Sequence, residues 1–134
     1  MRFTRFFIAL LLPLAMVSCA EEDLPEEETD PRIKFTGNWT VSEETAGVAS
    51  GTYPSTIILD TANTTQIVIG NIFNLGSTAK IKSLVAGNTL DISAQTIAGI
   101  SIAGTGTFAG NSFVLNYTAN DGSTTESVKA TYSK

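Results

Sequence analysis

The side chains able to do chemistry are few. The chain has no histidine and a single cysteine, Cys19. Without histidine there is no Ser-His-Asp triad, no Cys-His pair and no histidine metal site. Glu43 and Glu44 are adjacent, and adjacent side chains on a strand point to opposite faces. Their carboxyls therefore cannot flank one scissile bond. Asp60, Asp91, Asp121 and Glu126 are expected at strand ends or in turns, as solvated charges. Gly104 and Gly106 fall inside a strand with no helix after them, which is not a phosphate loop. The chain is expected not to be an enzyme and to carry no metal and no cofactor. Binding chemistry remains. Trp39, Tyr53, Phe73, Phe108, Phe113, Tyr117 and Tyr132 are candidates to line a ligand cavity. The same residues would also make an ordinary core, since aromatics dominate cores.

Cys19 needs its own account, because one cysteine closes no intramolecular disulfide. Arg2 and Arg5 precede an apolar run from Phe6 to Val17, and small Ser18 follows. The run is shorter than the ~20 apolar residues that span a bilayer, and it has the anatomy of an export signal. Residues 1–18 are therefore read as a leader and set apart from the fold.

Met16-Val17-Ser18-Cys19 resembles the lipobox of bacterial lipoproteins, with methionine in place of the usual leucine. The resemblance implies cleavage before Cys19, a diacylglycerol thioether on its sulfur and an acylated amino group. Each buried acyl methylene contributes about 0.8 kcal/mol, and more than one chain gives a stable anchor. The expected location is the outer membrane, held by lipid on Cys19.

Charge is distributed unevenly. The chain has 8 Lys and Arg against 13 Asp and Glu. Glu21, Glu22, Asp23, Glu26, Glu27, Glu28 and Asp30 all precede Pro31, while the remainder is near neutral. No basic cluster exists to meet nucleic acid or an anionic membrane surface. Residues 19–32, with like charges and Pro25 and Pro31, are expected to form an extended acidic leash. Ala20-Glu21-Glu22-Asp23 resembles the surface-export signal of Bacteroidota lipoproteins, which implies display outside the cell.

Residues 33–134 must position whatever binds, and they are expected to form one all-β domain. Apolar and polar residues alternate over Gly37–Glu44, Thr52–Asp60, Thr65–Ile69, Ala79–Val85, Thr89–Thr96, Ile100–Phe108, Ser112–Ala119 and Thr124–Ser133. Asn71 to Gly76 is expected to be an irregular turn that carries Phe73 and Leu75 into the core. Gly87-Asn88, Ala109-Gly110-Asn111 and Asn120-Asp121-Gly122 have hairpin chemistry, since Gly and Asn tolerate positive φ. Short joins force antiparallel neighbours, and closure of about eight strands into an up-and-down barrel removes exposed edges. Gly104 and Gly106, inside the sixth strand, suit a sharp bend or a close backbone approach.

Gly37-Asn38-Trp39 resembles the Gly-x-Trp start of lipocalin-like barrels, in which the tryptophan closes one end. The runs Ile69–Gly76, Gly87–Ile92 and Gly104–Phe108 resemble those of small Bacteroidota lipocalin-like lipoproteins of unknown function. That resemblance implies a calycin-like barrel and carries over no functional residue. Asp60-Thr61-Ala62 resembles the O-glycosylation acceptor of Bacteroidota envelope proteins, with Thr61 as the acceptor. Two readings of function follow. One is a non-catalytic barrel that binds a small apolar or glycan-like ligand. The other is a filled barrel that serves an outer-membrane protein partner.

Overall fold

The computed structural model describes residues 29–134. Cys19, the leader and most of the leash lie outside the described residues. The domain is a closed barrel of eight strands, each antiparallel to its neighbours in sequence order. The strands are β1 (Gly37–Thr45), β2 (Val48–Leu59), β3 (Gln66–Gly70), β4 (Lys80–Ala86), β5 (Thr89–Ile97), β6 (Ile100–Ala109), β7 (Ser112–Asn120) and β8 (Thr125–Ser133). β1 also pairs with β8, from Thr40 opposite Ser133 to Thr45 opposite Val128, and this seam closes the wall. A single-turn helix, Ile33–Phe35, and an irregular turn, Ile72–Asn74, sit at opposite ends of the barrel.

Period-two alternation decides which side chains face inward. Trp39, Val41, Ile57, Ile67, Ile69, Ile81, Leu90, Ile92, Ile102, Leu115 and Val128 are all buried. An eight-stranded wall encloses a space that side chains alone can fill. Here they do fill it, with Tyr132, Phe35 and Phe113 the largest fully buried groups.

Gly104 has the tightest surroundings of any glycine. A Cβ there would lie 2.3 Å from the Asn116 carbonyl oxygen and 2.5 Å from the Tyr117 Cβ. Glycine lets β6 coil against β7 at this point. A Cβ on Gly106 would meet the Leu115 side chain at 3.1 Å.

Four expectations are corrected. First, β2 begins at Val48, not Thr52, because Ala46-Gly47 closes a tight hairpin from β1. Both residues have positive φ, 52° and 76°, as a type I′ turn requires. A register shift between Glu43 and Glu44 accommodates one extra residue. Second, the leash ends before Arg32. The Arg32 guanidinium bonds the Asp30 carboxylate and donates through Nη1 to the carbonyls of Asp60, Asn63 and Gln66. Five fixed N–H groups in one planar fork allow this span.

Third, Asp60 is buried and not solvated. Its Oδ1 accepts from the Ala62 amide at 2.9 Å, and Lys82 Nζ lies 3.2 Å from Oδ2. The Ala62 amide first and Lys82 second hold its carboxyl below the usual carboxylate range. Fourth, Ile72 takes the core position in the 71–76 turn, while Phe73 and Leu75 are half-buried. Asn71, Phe73 and Asn74 are all left-handed there, with φ of 54°, 54° and 52°.

Candidate functional site

The seven aromatic candidates separate into two groups. Trp39, Tyr53, Phe113, Tyr117 and Tyr132 are buried in the core, and Phe73 and Phe108 pack against it half-buried. At one end, Phe35 meets Phe108 and Phe113 edge-on, each at 5.3 Å between ring centroids. Phe113 stacks on Tyr132 at 4.3 Å and meets Trp39 edge-on at 5.0 Å. Trp39 Nε1 donates to the Phe35 carbonyl at 2.8 Å, which ties the Ile33–Phe35 turn across this end. Lys134 Nζ stands 4.4 Å above the Trp39 ring and donates to the Thr36 carbonyl. Edge-on and cation–π contacts of this kind stabilise beyond buried area alone. Sequence reasoning did not pick out Phe35, because it precedes the first strand and belongs to no alternating pattern.

The second group surrounds a carboxyl. Glu43 continues the inward row of Trp39 and Val41 and is only 5% exposed. Its Oε1 accepts hydrogen bonds from the hydroxyls of both Tyr53 and Tyr117, the latter at 2.5 Å. Glu44 points outward, as alternation requires. Burial raises the phenols of Tyr53 and Tyr117 well above their ordinary range, and neighbouring tyrosines and Glu43 add to the shift. Burial likewise raises Tyr132. Among the described residues, the Tyr132 hydroxyl is buried without a hydrogen-bond partner. Phe73, half-buried in the left-handed turn, meets the Tyr117 ring edge-on at 6.2 Å. Phe73 also borders a hollow of about 150 Å³ with Ile100, Ala119, Asp121, Thr124 and Glu126.

A carboxyl gripped by two phenols can orient, accept hydrogen bonds and specify register. Among the described residues, no group of acids could hold a metal ion. Asp91 and Glu126 are exposed, and Asp121 caps its own turn through the amides of Ser123 and Thr124.

Roomier space lies on the outer wall. β2 pairs with β3 only through Ile57, Ile58 and Leu59. Beyond that pairing the two strands part. Asn71 turns the chain away, and its Nδ2 donates to the Pro54 carbonyl at 2.6 Å across the gap. Proline lacks an N–H, so it leaves no donor unpaired at this open edge. The result is a crevice of about 310 Å³, lined by Pro54, Thr56, Ile58, Val68, Gly70, Asn71, Ser77 and Lys80. Ile58 is 52% exposed. A wider groove of about 500 Å³ crosses β8, β7 and β6 and includes Glu44, Thr105, Asn116, Thr118, Ser127 and Lys129. Tyr117 also borders that groove. Thr61 is exposed in the turn between β2 and β3, beside the anchored Asp60 carboxyl.

No family model matches the chain, and no curated protein matches it. Among solved structures it is similar to a redesigned beta barrel. The match has 15% sequence identity and a TM-score of 0.55, and it covers 80% of this chain and 96% of that one. A likeness at that identity concerns the fold alone, and it agrees with the closed eight-stranded barrel described above.

Proposed function

We propose that this chain is a lipid-anchored envelope protein, resembling small lipocalin-like lipoproteins, whose barrel binds through its outer wall and carries no catalysis. The observation that carries this reading is a contrast between the two faces of the wall. The interior is occupied by the protein's own side chains, with Tyr132, Phe35 and Phe113 fully buried. The apolar crevice at Pro54, Ile58 and Val68 opens outside. Ligand sites are concave and mostly apolar with a few polar groups at fixed places, and about 300 Å³ is their usual lower bound. The crevice meets that description, and the packed interior does not.

The export-signal anatomy before Cys19 supports the anchor, and the acids at Glu21, Glu22 and Asp23 support display at the surface of the outer membrane. Intact-mass analysis of protein from its own host is expected to give a triacylated Cys19, and would also reveal any glycan on Thr61. An unmodified thiol would remove the anchor from this reading. The outer-wall site is tested by a photo-crosslinking residue at position 58, with one at position 131 on another part of the wall as control. A defined adduct at 58 and none at 131 is the expected result. Equal capture at both positions would exclude a site at the crevice.

A second reading, an accessory subunit to an outer-membrane protein, is favoured by the exposure of Leu84 alongside Ile58. Each presents apolar area on the outer wall that a protein partner would cover. The mass of the adduct at position 58 separates a small ligand from a protein.

A further inference from the structure

The polar rim of the outer crevice suggests what would occupy it. Its floor is aliphatic, made by Pro54, Ile58 and Val68, and no aromatic ring lines it. Sugar faces and organic cations are bound best against aromatic rings, and neither finds one here. The single formal charge in the lining is the ammonium of Lys80. Among the described residues the ion pairs are Arg32 with Asp30 and Lys82 with Asp60, and Lys80 belongs to neither. Lys82, two residues along the same outward row, is held by buried Asp60 and does not compete for an incoming anion. Ser77 adds a hydroxyl to the lining. The Asn71 amide is already used, donating to the Pro54 carbonyl and accepting from the Gly76 amide.

An aliphatic floor and one uncommitted cation at the edge are complementary to an amphiphile with a single anionic head. We propose that the crevice between β2, β3 and the Ile72–Asn74 turn binds a small aliphatic carboxylate. Its chain lies on Pro54, Ile58 and Val68, and its head faces Lys80. This inference rests on the outer-wall reading above and adds the class of ligand. Apolar contact supplies most of the attraction, and the Lys80 ammonium selects the sign of the head. A lysine serves this role as a mobile point charge, which suits a rim open to solvent.

The test uses octanoate carrying a diazirine, irradiated with the full chain in membranes from its own host. The matching diazirine alcohol and amine are run beside it, and adducts are located by peptide mass spectrometry. Adducts are expected on residues 54–58 and 68–71. The carboxylate should label there about fivefold more than the alcohol, the upper end for one solvent-exposed charge pair. Lys80→Gln should bring carboxylate labelling down to the alcohol's level and leave the alcohol unchanged. Lys80 is exposed, so the variant keeps the barrel, and its far-UV circular dichroism checks this. Equal labelling by all three heads would overturn the carboxylate and leave the outer-wall site standing. Labelling confined to inward residues, or none, would overturn both.

Discussion

The hydroxyl of Tyr117 and the carboxyl of Glu43, 74 residues apart in sequence, meet at 2.5 Å inside the barrel. Tyr53, from the neighbouring strand, donates to the same oxygen. One buried carboxyl oxygen thus joins β1, β2 and β7. A buried polar group costs stability unless its hydrogen bonds are made, and these two are made within an apolar interior.

Removing either hydroxyl should therefore be felt, and removing both should be felt out of proportion. Tyr53→Phe and Tyr117→Phe are each expected to cost about 1–2 kcal/mol in urea unfolding. The double variant leaves the Glu43 carboxyl without either donor and should exceed the sum of the single changes by more than ~0.5 kcal/mol. Additivity within that margin would mean that the two bonds do not share one acceptor.

Alkaline pH supplies an independent readout. The chain has 3 tyrosines, and all are buried with phenols raised above their ordinary value, chiefly by burial. In the unfolded chain they ionise near pH 10. The folded state holds its protons longer, so these groups favour folding below pH 10, and that contribution is lost as pH rises further. Phenolate absorbance is expected to appear together with loss of β-sheet circular dichroism. A phenolate signal rising near pH 10 in a still-folded protein would contradict this burial.

Gly104 and Gly47 separate two roles of glycine. Gly104→Ala places a Cβ against backbone atoms of Asn116 and Tyr117 and should cost about 3 kcal/mol or more. A Cβ on Gly47 meets nothing within 4 Å, and only its positive φ opposes substitution. Gly47→Ala should cost about 1 kcal/mol. Thermal or urea midpoints of the two variants should fall in that order.

Arg32 holds the turn between β2 and β3 through the carbonyls of Asp60, Asn63 and Gln66. Arg32→Lys keeps the charge but not the planar fork. Hydrogen exchange at the Asp60 amide, which donates to the Gln66 carbonyl, and at the Gln66 amide, which donates to the Asn63 carbonyl, should accelerate in the lysine variant while exchange in β7 stays unchanged. Exchange unaltered at Asp60 and Gln66 would show that the guanidinium is not what orders the turn.

The strands were legible because alternation and Gly-Asn turns are strong local signals. Trp39, Val41, Ile57, Leu90 and Phe113 face inward as their spacing requires. The first hairpin was harder to place. Ala46-Gly47 lacks the asparagine or aspartate that normally announces a left-handed turn, and Ala46 takes the strained φ itself. Glu43 lies on the same row as Trp39 and Val41, so its direction was readable. Its burial depends on two tyrosines brought from β2 and β7 by tertiary pairing. Asp60 reads as a solvated turn residue for a similar reason, since the lysine beside it comes from β4. The outer crevice left no trace in the sequence at all. It exists because β2 and β3 share only three paired positions before parting, and pairing length is a property of the closed wall.

The seam between β1 and β8 has a kinetic consequence. Every other pairing joins strands that follow one another, so most of the wall can grow as a ribbon by adding each new hairpin to the last. The seam must instead bring the two ends of that ribbon together, and the loop entropy of doing so is met by no earlier local contact. Zipping Thr40–Thr45 onto Val128–Ser133 is thus the natural slow step of folding, and until it is complete the ribbon carries two open edges that a second unfinished chain could capture.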